Sequence, residues 1–410
     1  MGSLGDLHPM IALAVELRRR GHVAVINTWE GYEDKVAELG FEFRRLRPNV
    51  DPTDRELIRK TMDAREGPEF VIRELMMGNI FDMYDDLAAA VAGADIFVTG
   101  EIIYAAASVA EVTSCKWVST SFAPISMFSA EDPNVYVQAD WVEYLRPFPA
   151  FFHRGMLGMM RFLTKSWLAE YRKLRRSLNL SENHDPLFRN KFSPLTHLAM
   201  FTRALAEPQC DWPQTTIQTG TCFYDESEIG EPDPRLTDFL NNGTEPIVFT
   251  LGSAAVIDAR DFFDESAKAA KALDRRAILL YGRDNEPPKG LNSDIVGFDY
   301  APYSVVFKRA ACVVHQGGAG TTAQVLRAGV PHLIMPYSHD QPDNAARCRR
   351  AGVAEIIGRN DYNVSSAAKA LKNILENPRY LENAAGLKRI VDSEHGTATA
   401  CDAITDILRK

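Results

Sequence analysis

The chain has 410 residues, 46% of them hydrophobic and 25% charged, which suits a globular protein of two domains of roughly 200 residues each. Its formal net charge of −9 excludes the basic footprint of a nucleic-acid binder, and no run nears the ~20 apolar residues of a membrane-spanning helix. Cys115, Cys210, Cys222, Cys312, Cys348 and Cys401 are scattered without zinc spacing, and no signal peptide is visible, so a reducing, cytoplasmic setting is expected.

The chain opens on a glycine-bearing loop, Gly2-Ser3-Leu4-Gly5-Asp6. Pro9 suits the first turn of a helix. Ile11, Leu13, Ala14 and Leu17 keep helical spacing, and Arg18 to Arg20 with Gly21 mark its end. Val23 to Thr28 is the first expected strand. A doubly wound domain normally starts with a central strand that feeds its first glycine loop. None precedes Gly2, so roughly 6–10 further residues rich in Val, Ile and Leu are expected upstream. Gly93 to Thr99 ends a helix and begins another strand, and Trp117 to Thr120 is a further strand, with a helix over Ala105 to Val112 between them. Alternating β and α units imply a parallel sheet.

The stretch from Phe122 to Trp167 breaks this rhythm with Phe128, Tyr136, Trp141, Tyr144, Phe148, Phe151, Phe152, Met156, Met159, Met160 and Phe162. Helices packed on the core and an apolar substrate cleft are both open readings. The proline- and acid-bearing stretch that follows reads as an interdomain linker. The expected organisation is a first domain over 1–206, a linker over 207–245, a second domain over 246–397 and a terminal helix within 398–410.

The second half starts at Ile247 to Leu251, a strand running into Gly252-Ser253, and continues with the strand Ala277 to Tyr281. Ala310 to Val314 reads as a buried parallel strand. It delivers the chain into His315-Gln316-Gly317-Gly318-Ala319-Gly320-Thr321, with a helix over Thr321 to Ala328 closed by Gly329 and Pro331. Such a strand, glycine turn and helix aim free N–H groups and a positive dipole end at one point, which binds phosphate. Asp340 and Gln341 follow and can bond sugar hydroxyls. Taken singly, a histidine at a strand end is usually a packing residue, and Asp-Gln in a loop is usually solvated. In this order within thirty residues they suggest a nucleotide sugar.

That order resembles the donor-binding signature of the family 1 glycosyltransferases. The resemblance begins at Tyr300-Ala301-Pro302-Tyr303, where plant members usually show a Trp-Ala-Pro-Gln run that stacks on the base. It continues through His315, Gly317 and Thr321 to Pro336, Asp340, Gln341 and Asn344. It is strongest toward bacterial members acting on macrolides, glycopeptide aglycones, sterols and related compounds, and it spans nearly the whole chain. The resemblance implies an α/β protein of GT-B fold: two Rossmann-like doubly wound parallel-sheet domains facing across a cleft. The acceptor would bind the first domain and the donor the second, and the last helix, within Ala398 to Arg409, would cross back. It implies donor contacts from Ser253, Tyr300, His315, Gly317, Gly318, Gly320, Thr321, Asp340 and Gln341. The general base would be Asp6, because the loop matches the subgroup motif Gly-Ser-x-Gly-Asp; His8 is wrongly spaced from Gly5. Read from the residues alone, Asp6 serves equally well as a helix cap. Gly100 stands where many members carry a second carboxylate, leaving Glu101 as a substitute.

The donor segment offers no carboxylate cluster suited to a divalent ion. The expected activity is therefore inverting, metal-independent transfer of a hexose from a UDP- or dTDP-sugar, with no other cofactor. The acceptor would be a hydroxyl of an apolar polyketide, terpenoid, flavonoid or sterol-like molecule. Plant members often bind the ribose with a glutamate on the helix after the phosphate loop; here that position holds Ala323, with Gln324 next. A nucleotide-sugar epimerase on the same architecture is the alternative. A dehydrogenase is disfavoured because the first loop reads G-x-x-G, not G-x-G-x-x-G, although Glu30 stands where a ribose-binding acid would. A catalytically silent binding protein is disfavoured because Asp6, His315 and Asp340 occur together.

Overall fold

The computed structural model describes residues 2–51, 54–137, 140–225, 233–253, 255–283 and 285–409. Among the described residues twelve strands form three wholly parallel sheets. In the second half these are β7 (Ile247–Thr250), β8 (Ala277–Leu280), β9 (Ile295–Phe298), β10 (Cys312–His315), β11 (His332–Ile334) and β12 (Ala354–Ile356). They line up as β12-β11-β10-β7-β8-β9, the doubly wound 3-2-1-4-5-6 order. Ile247, Val248, Phe249, Cys312, Val313 and Val314 are fully buried, as expected of strands covered on both faces.

The first half carries β1 (Val25–Thr28), β2 (Glu42–Arg45), β3 (Ile96–Thr99), β4 (Lys116–Ser121), β5 (Thr196–Ala199) and β6 (Thr216–Gln218). These form two sheets, β1-β2 and β3-β4-β5-β6. In the same winding order, the sheet parts between β1 and β3, at the position β7 holds in the second half. Strand β6 and the short helix Pro234–Asn241 both fall inside the 207–245 stretch read as a linker. Residues 226–232 of that stretch lie outside the described residues. A three-residue edge strand with one exposed apolar side chain, Ile217, leaves little alternation to read in the sequence.

Six helices matter below. The first, α1 (Leu4–Arg19), begins five residues before Pro9, which sits inside it. Ser3 and Asp6 form a capping box there, and that local bonding sets the start in place of the proline. Helix α2 (Arg55–Thr61) packs its Ile58, with the following Met62, into the core of the second half. Helix α3 (Ala150–Leu163) buries only His153. Helix α4 (Ala319–Ala328) follows the glycine turn and ends on Gly329 in the left-handed region (φ 74°). Helix α5 (Gln341–Arg350) follows Asp340, and α6 (Gly396–Arg409) returns to pack on α1, where Arg20 meets Asp402 at 2.6 Å.

None of the eleven bulky residues singled out between Phe122 and Trp167 is buried. Tyr144, Phe151, Met159 and Phe162 are mostly exposed. Packing on the core therefore does not account for them.

The halves are tied together by buried charge. Arg347 donates to Asp343 at 2.7 Å on its own helix and pairs with Asp132 of the first half. Asp343 also accepts from the Val135 N–H at 3.0 Å. All three side chains are largely or wholly buried. Burial works against ionising Asp132, and the Arg347 and Arg146 guanidiniums outweigh it, holding that carboxyl below its usual range. Removing one partner of such a buried set costs about 3–5 kcal/mol, so the halves are held in this mutual placement.

Candidate active site

Three segments meet in the cleft: the Gly2–Asp6 loop, the turn after β10 with the start of α4, and the loop that leads into α5. Their approach is close. The Leu4 N–H lies 3.3 Å from the Ser253 hydroxyl oxygen. A methyl group placed on Gly320 would come 3.6 Å from the Gly5 Cα. The loop before α5 is pinned to the first half by Ser338 and His339, which bond the carbonyls of Asp63 and Thr61 at 3.1 and 2.8 Å.

Asp6 is the third residue of α1. Its Oδ2 accepts from the Ser3 N–H at 2.8 Å and from the Ser3 hydroxyl at 3.2 Å. Its Oδ1 carries no bond among the described residues. Among the described residues Asp6 is thus a capping residue on one oxygen and open on the other. Desolvation in the cleft, with the Glu101 charge adding to it, lifts its carboxyl to about 6.

Glu101 stands at the carboxyl end of β3. Its Oε1 accepts from the Phe122 N–H at 2.5 Å and its Oε2 from the Ser126 hydroxyl. Both oxygens therefore anchor the chain after β4. Its charge reaches Asp6, Asp340 and Lys191. The Lys191 ammonium lies over the Phe128 and Phe192 rings at 4.8 and 5.2 Å, and burial pushes it down to about 8. Lys191, which no motif singles out, lines a small pocket with Glu101, Tyr104 and Trp117.

On the donor side, Gly317 has φ 91°, and a Cβ there would fall 2.9 Å from Ile334 and 3.1 Å from the Gln341 carbonyl, so only glycine fits. The N–H groups of Gly318, Gly320 and Thr321 carry no hydrogen bond among the described residues. They sit at the positive end of α4, where an anion is favoured. The Ala319 N–H donates instead to Asp340 Oδ2 at 2.9 Å, and Asn344 Nδ2 donates to the same oxygen at 2.8 Å. Burial, then the Asp6 charge, raise Asp340 to about 7. Gln341 accepts the Tyr337 N–H on its Oε1 at 2.8 Å, and its Nε2 carries no bond among the described residues. Tyr300 is partly exposed at the edge, with the Arg283 guanidinium 5.1 Å from its ring centre.

His315 is placed differently from a residue facing the cleft. It is fully buried beneath the turn. The Gly317 N–H donates to its Nδ1 at 3.0 Å, so its Nε2 carries the proton and donates to His332 Nδ1, also at 3.0 Å. Burial and the neighbouring ring hold His315 well below its usual range, and burial lowers His332 to about 3. Both rings are neutral, and His315 shapes the turn from below. A histidine ending a buried strand is the sequence signal for this, since its side chain follows the strand's alternation inward.

Among the described residues no group of three His, Cys, Asp or Glu side chains is placed to hold a metal ion, and no helix is long and apolar enough to cross a membrane.

Two Rossmann-like halves, a glycine turn aimed into the cleft from one and a carboxylate-bearing loop from the other, define a glycosyltransferase of GT-B architecture. Comparison with known proteins agrees. Residues 1–114 match the glycosyltransferase family 28 N-terminal domain, and residues 267–399 match the erythromycin biosynthesis protein CIII-like C-terminal domain. The chain is 31% identical to O-mycaminosyltylonolide 6-deoxyallosyltransferase of Streptomyces fradiae over 99% of its own length and 96% of that protein. It is 26% identical to sterol 3-beta-glucosyltransferase of Kluyveromyces lactis over 98% of its length, spanning about a third (34%) of that protein. Among solved structures, the glycotransferase of kitacinnamycin superposes with a TM-score of 0.71 at 21% identity, covering 98% of this chain and 95% of that one. Glycosyltransferase VinC in complex with DTDP superposes with a TM-score of 0.67 at 17% identity, covering 99% and 97%. The chain belongs to the family 1 glycosyltransferases of GT-B fold, in the subgroup of macrolide and sterol enzymes. These matches are to transferases, and the epimerase alternative has no support among them.

Proposed function

We propose that the enzyme transfers a hexose, with inversion and without a metal ion, from a UDP- or dTDP-sugar to a hydroxyl of an apolar small molecule in the cytoplasm. The observation that carries this reading is the closeness of the two loops across the cleft: the Leu4 N–H lies 3.3 Å from Ser253, and Gly5 lies against Gly320. An acceptor beside Asp6 is then within reach of a sugar whose diphosphate rests on the α4 N-terminus. As the acceptor oxygen bonds the anomeric carbon, its proton passes to Asp6 Oδ1 and the bond to the diphosphate breaks. The free N–H groups of Gly318, Gly320 and Thr321, with the Ser253 hydroxyl, take up the charge that develops on the leaving group. His315 serves the donor through the turn it holds. Tyr300 stacks on the base, and Asp340 and Gln341 bond the hexose hydroxyls. Glu101 adds negative charge near the base and is not itself the proton acceptor.

The acceptor class rests on apolar surface. The exposed aromatic and methionine side chains of the first half, with Phe128 against Phe188 at 4.7 Å beside Lys191, suit a polyketide, terpenoid, flavonoid or sterol-like molecule. A panel of UDP- and dTDP-hexoses against such acceptors, read by mass detection of the glycoside and by the anomeric configuration of the product, tests the reading. Retained configuration, or a converted sugar nucleotide with no glycoside, would count against it.

Donor choice follows from α4. Ala323 is buried, and Gln324 donates to Asp225 at 3.4 Å, a carboxylate that Arg327 also engages at 2.8 Å, so neither residue of α4 itself presents a carboxylate to the ribose hydroxyls. Weak discrimination between uridine and deoxythymidine diphosphate sugars is expected, because an unmade hydrogen bond gives little selectivity. Steady-state kcat/KM for matched UDP- and dTDP-glucose checks this. A uridine preference beyond about a thousandfold, roughly 4 kcal/mol, would show that some other group reads the 2′-hydroxyl.

A further inference from the structure

We infer that Lys191 and Tyr104 read the acceptor, together donating hydrogen bonds to a carbonyl oxygen carried on its otherwise apolar body; the inference rests on the reading of an apolar hydroxyl acceptor above. The Lys191 ammonium lies over the Phe128 and Phe192 rings at 4.8 and 5.2 Å, and it makes no hydrogen bond or ion pair among the described residues. Tyr104 is 8% exposed, and its hydroxyl makes no hydrogen bond among the described residues either. Both side chains line the small pocket bordered by Thr99, Gly100 and Glu101, where the chain leaves β3. A buried hydroxyl and an unpaired ammonium around one pocket call for a polar partner.

The other polar groups of the pocket say which partner. Glu101 engages the Phe122 N–H and the Ser126 hydroxyl with its two oxygens, and Thr99 Oγ1 accepts from Trp117 Nε1 at 2.8 Å. The Asn190 Oδ1 accepts from the Asp185 N–H at 2.8 Å. The groups left open are donors. An ammonium has no acceptor site, and burial with the Glu101 charge keeps the Tyr104 phenol protonated. Lys191, held at about 8, is itself charged at neutral pH. The group they take is therefore an acceptor oxygen. Its charge follows from the surroundings. The Glu101 carboxylate already answers the Lys191 charge, and the same carboxylate acts on Asp6. An anionic group would meet the field of both carboxylates, so a neutral carbonyl fits where a carboxylate would be repelled. The pocket is small and walled by Ile103 and Trp117, so it takes a projecting oxygen while the body of the acceptor stays in the cleft beside Asp6.

The experiment measures glycosyl transfer to acceptor pairs that differ only in one ring carbonyl: a hydroxyflavanone against its hydroxyflavan, and a hydroxysteroid ketone against the steroid without the ketone. Wild type, Lys191→Met and Tyr104→Phe are compared, with the melting temperature of each. Wild type is expected to favour the carbonyl member of at least one pair about 10- to 150-fold in kcat/KM, the range for a hydrogen bond to a charged group. Lys191→Met keeps an apolar stem between the rings and loses the ammonium, and it should abolish that preference. Tyr104→Phe should reduce it about 2- to 12-fold, as for a neutral hydrogen bond. The ratio within a pair is the readout, because a structural role lowers both rates together and leaves the ratio unchanged. Wild type with no preference in either pair, or a preference that either variant leaves unchanged, overturns the assignment. Wild type that transfers to no member of either pair overturns the apolar-acceptor reading, and the assignment falls with it.

Discussion

Asp6→Asn is expected to lower kcat about 10²–10⁴-fold, the usual worth of a general base, while the fold and donor affinity stay near wild type. The geometry separates the two jobs of this residue. Its Oδ2 closes the capping box with Ser3, and an asparagine oxygen can accept the same Ser3 N–H. Its Oδ1, which carries no bond among the described residues, is what the substitution removes as a proton acceptor. Asp6→Ala removes both and should add a stability loss of roughly 1 kcal/mol. Pairing kcat with melting temperature for the two variants therefore splits base from cap. An Asn variant holding more than about a third of wild-type kcat, far above the range for a lost base, would take Asp6 out of the mechanism and leave it a cap.

The protonation of this site adds a pH signature. With Asp6 lifted to about 6 by desolvation and Asp340 to about 7 by desolvation and the Asp6 charge, both working carboxylates are ionised only above neutrality. The kcat/KM profile reports the free enzyme. It should be flat above about pH 8 and fall on acidification, steepening as the second group takes its proton. Asp6→Asn should flatten its lower limb.

How far the sequence carried depends on what each feature needed. In the second half β7, β8, β10 and α4 were legible to within about two residues, because those strands are unbroken apolar runs and Gly329 marks the end of α4 where a left-handed residue is required, whereas β9, β11 and β12 are runs of only three or four residues and were not read. The start of α1 was misread: Pro9 satisfies the rule for a first turn, but the Ser3–Asp6 capping box acts five residues earlier and is the stronger local signal. Pairing across the cleft was not legible. That Arg347 reaches Asp132 and Asp343 the Val135 N–H, or that Glu101 bonds Phe122 and Ser126 with both oxygens, depends on segments brought together only by tertiary folding. The role of His315 turned on a direction. The motif locates the residue correctly, but whether a ring faces the cleft or His332 below it follows from the strand's pleat. The bulky residues after Phe122 were ambiguous for another reason: composition does not distinguish an apolar face that covers a core from one that stays exposed.

Asp340 sets function against stability, and its substitution should show both at once. Asp340→Ala should lower kcat/KM with the sugar nucleotide about 10- to 150-fold, as for a lost hydrogen bond to a charged group, with little change in affinity for the free nucleoside diphosphate. Asp340→Asn tests the other side. Its oxygen can still accept from Ala319 and from Asn344, so the two bonds that fix the loop survive. The folded-state carboxyl, at about 7, lies above the unfolded aspartate value of about 3.9. The folded chain therefore holds the extra proton between those values, and stability falls as pH rises through that window. Above it, wild type bears the full cost of a desolvated charge and the asparagine variant bears none. At pH 8 Asp340→Asn should melt higher by at least about 2–4 °C, the shift that roughly 1 kcal/mol produces in a domain of this size. Near pH 4 the advantage should vanish, because the wild-type carboxyl is then neutral as well. Thermal scans at both pH values, with kcat/KM at pH 8, decide the matter. An equal shift at the two pH values would mean that the charge of Asp340 costs the fold nothing, and a variant with wild-type turnover would mean that the sugar does not need it.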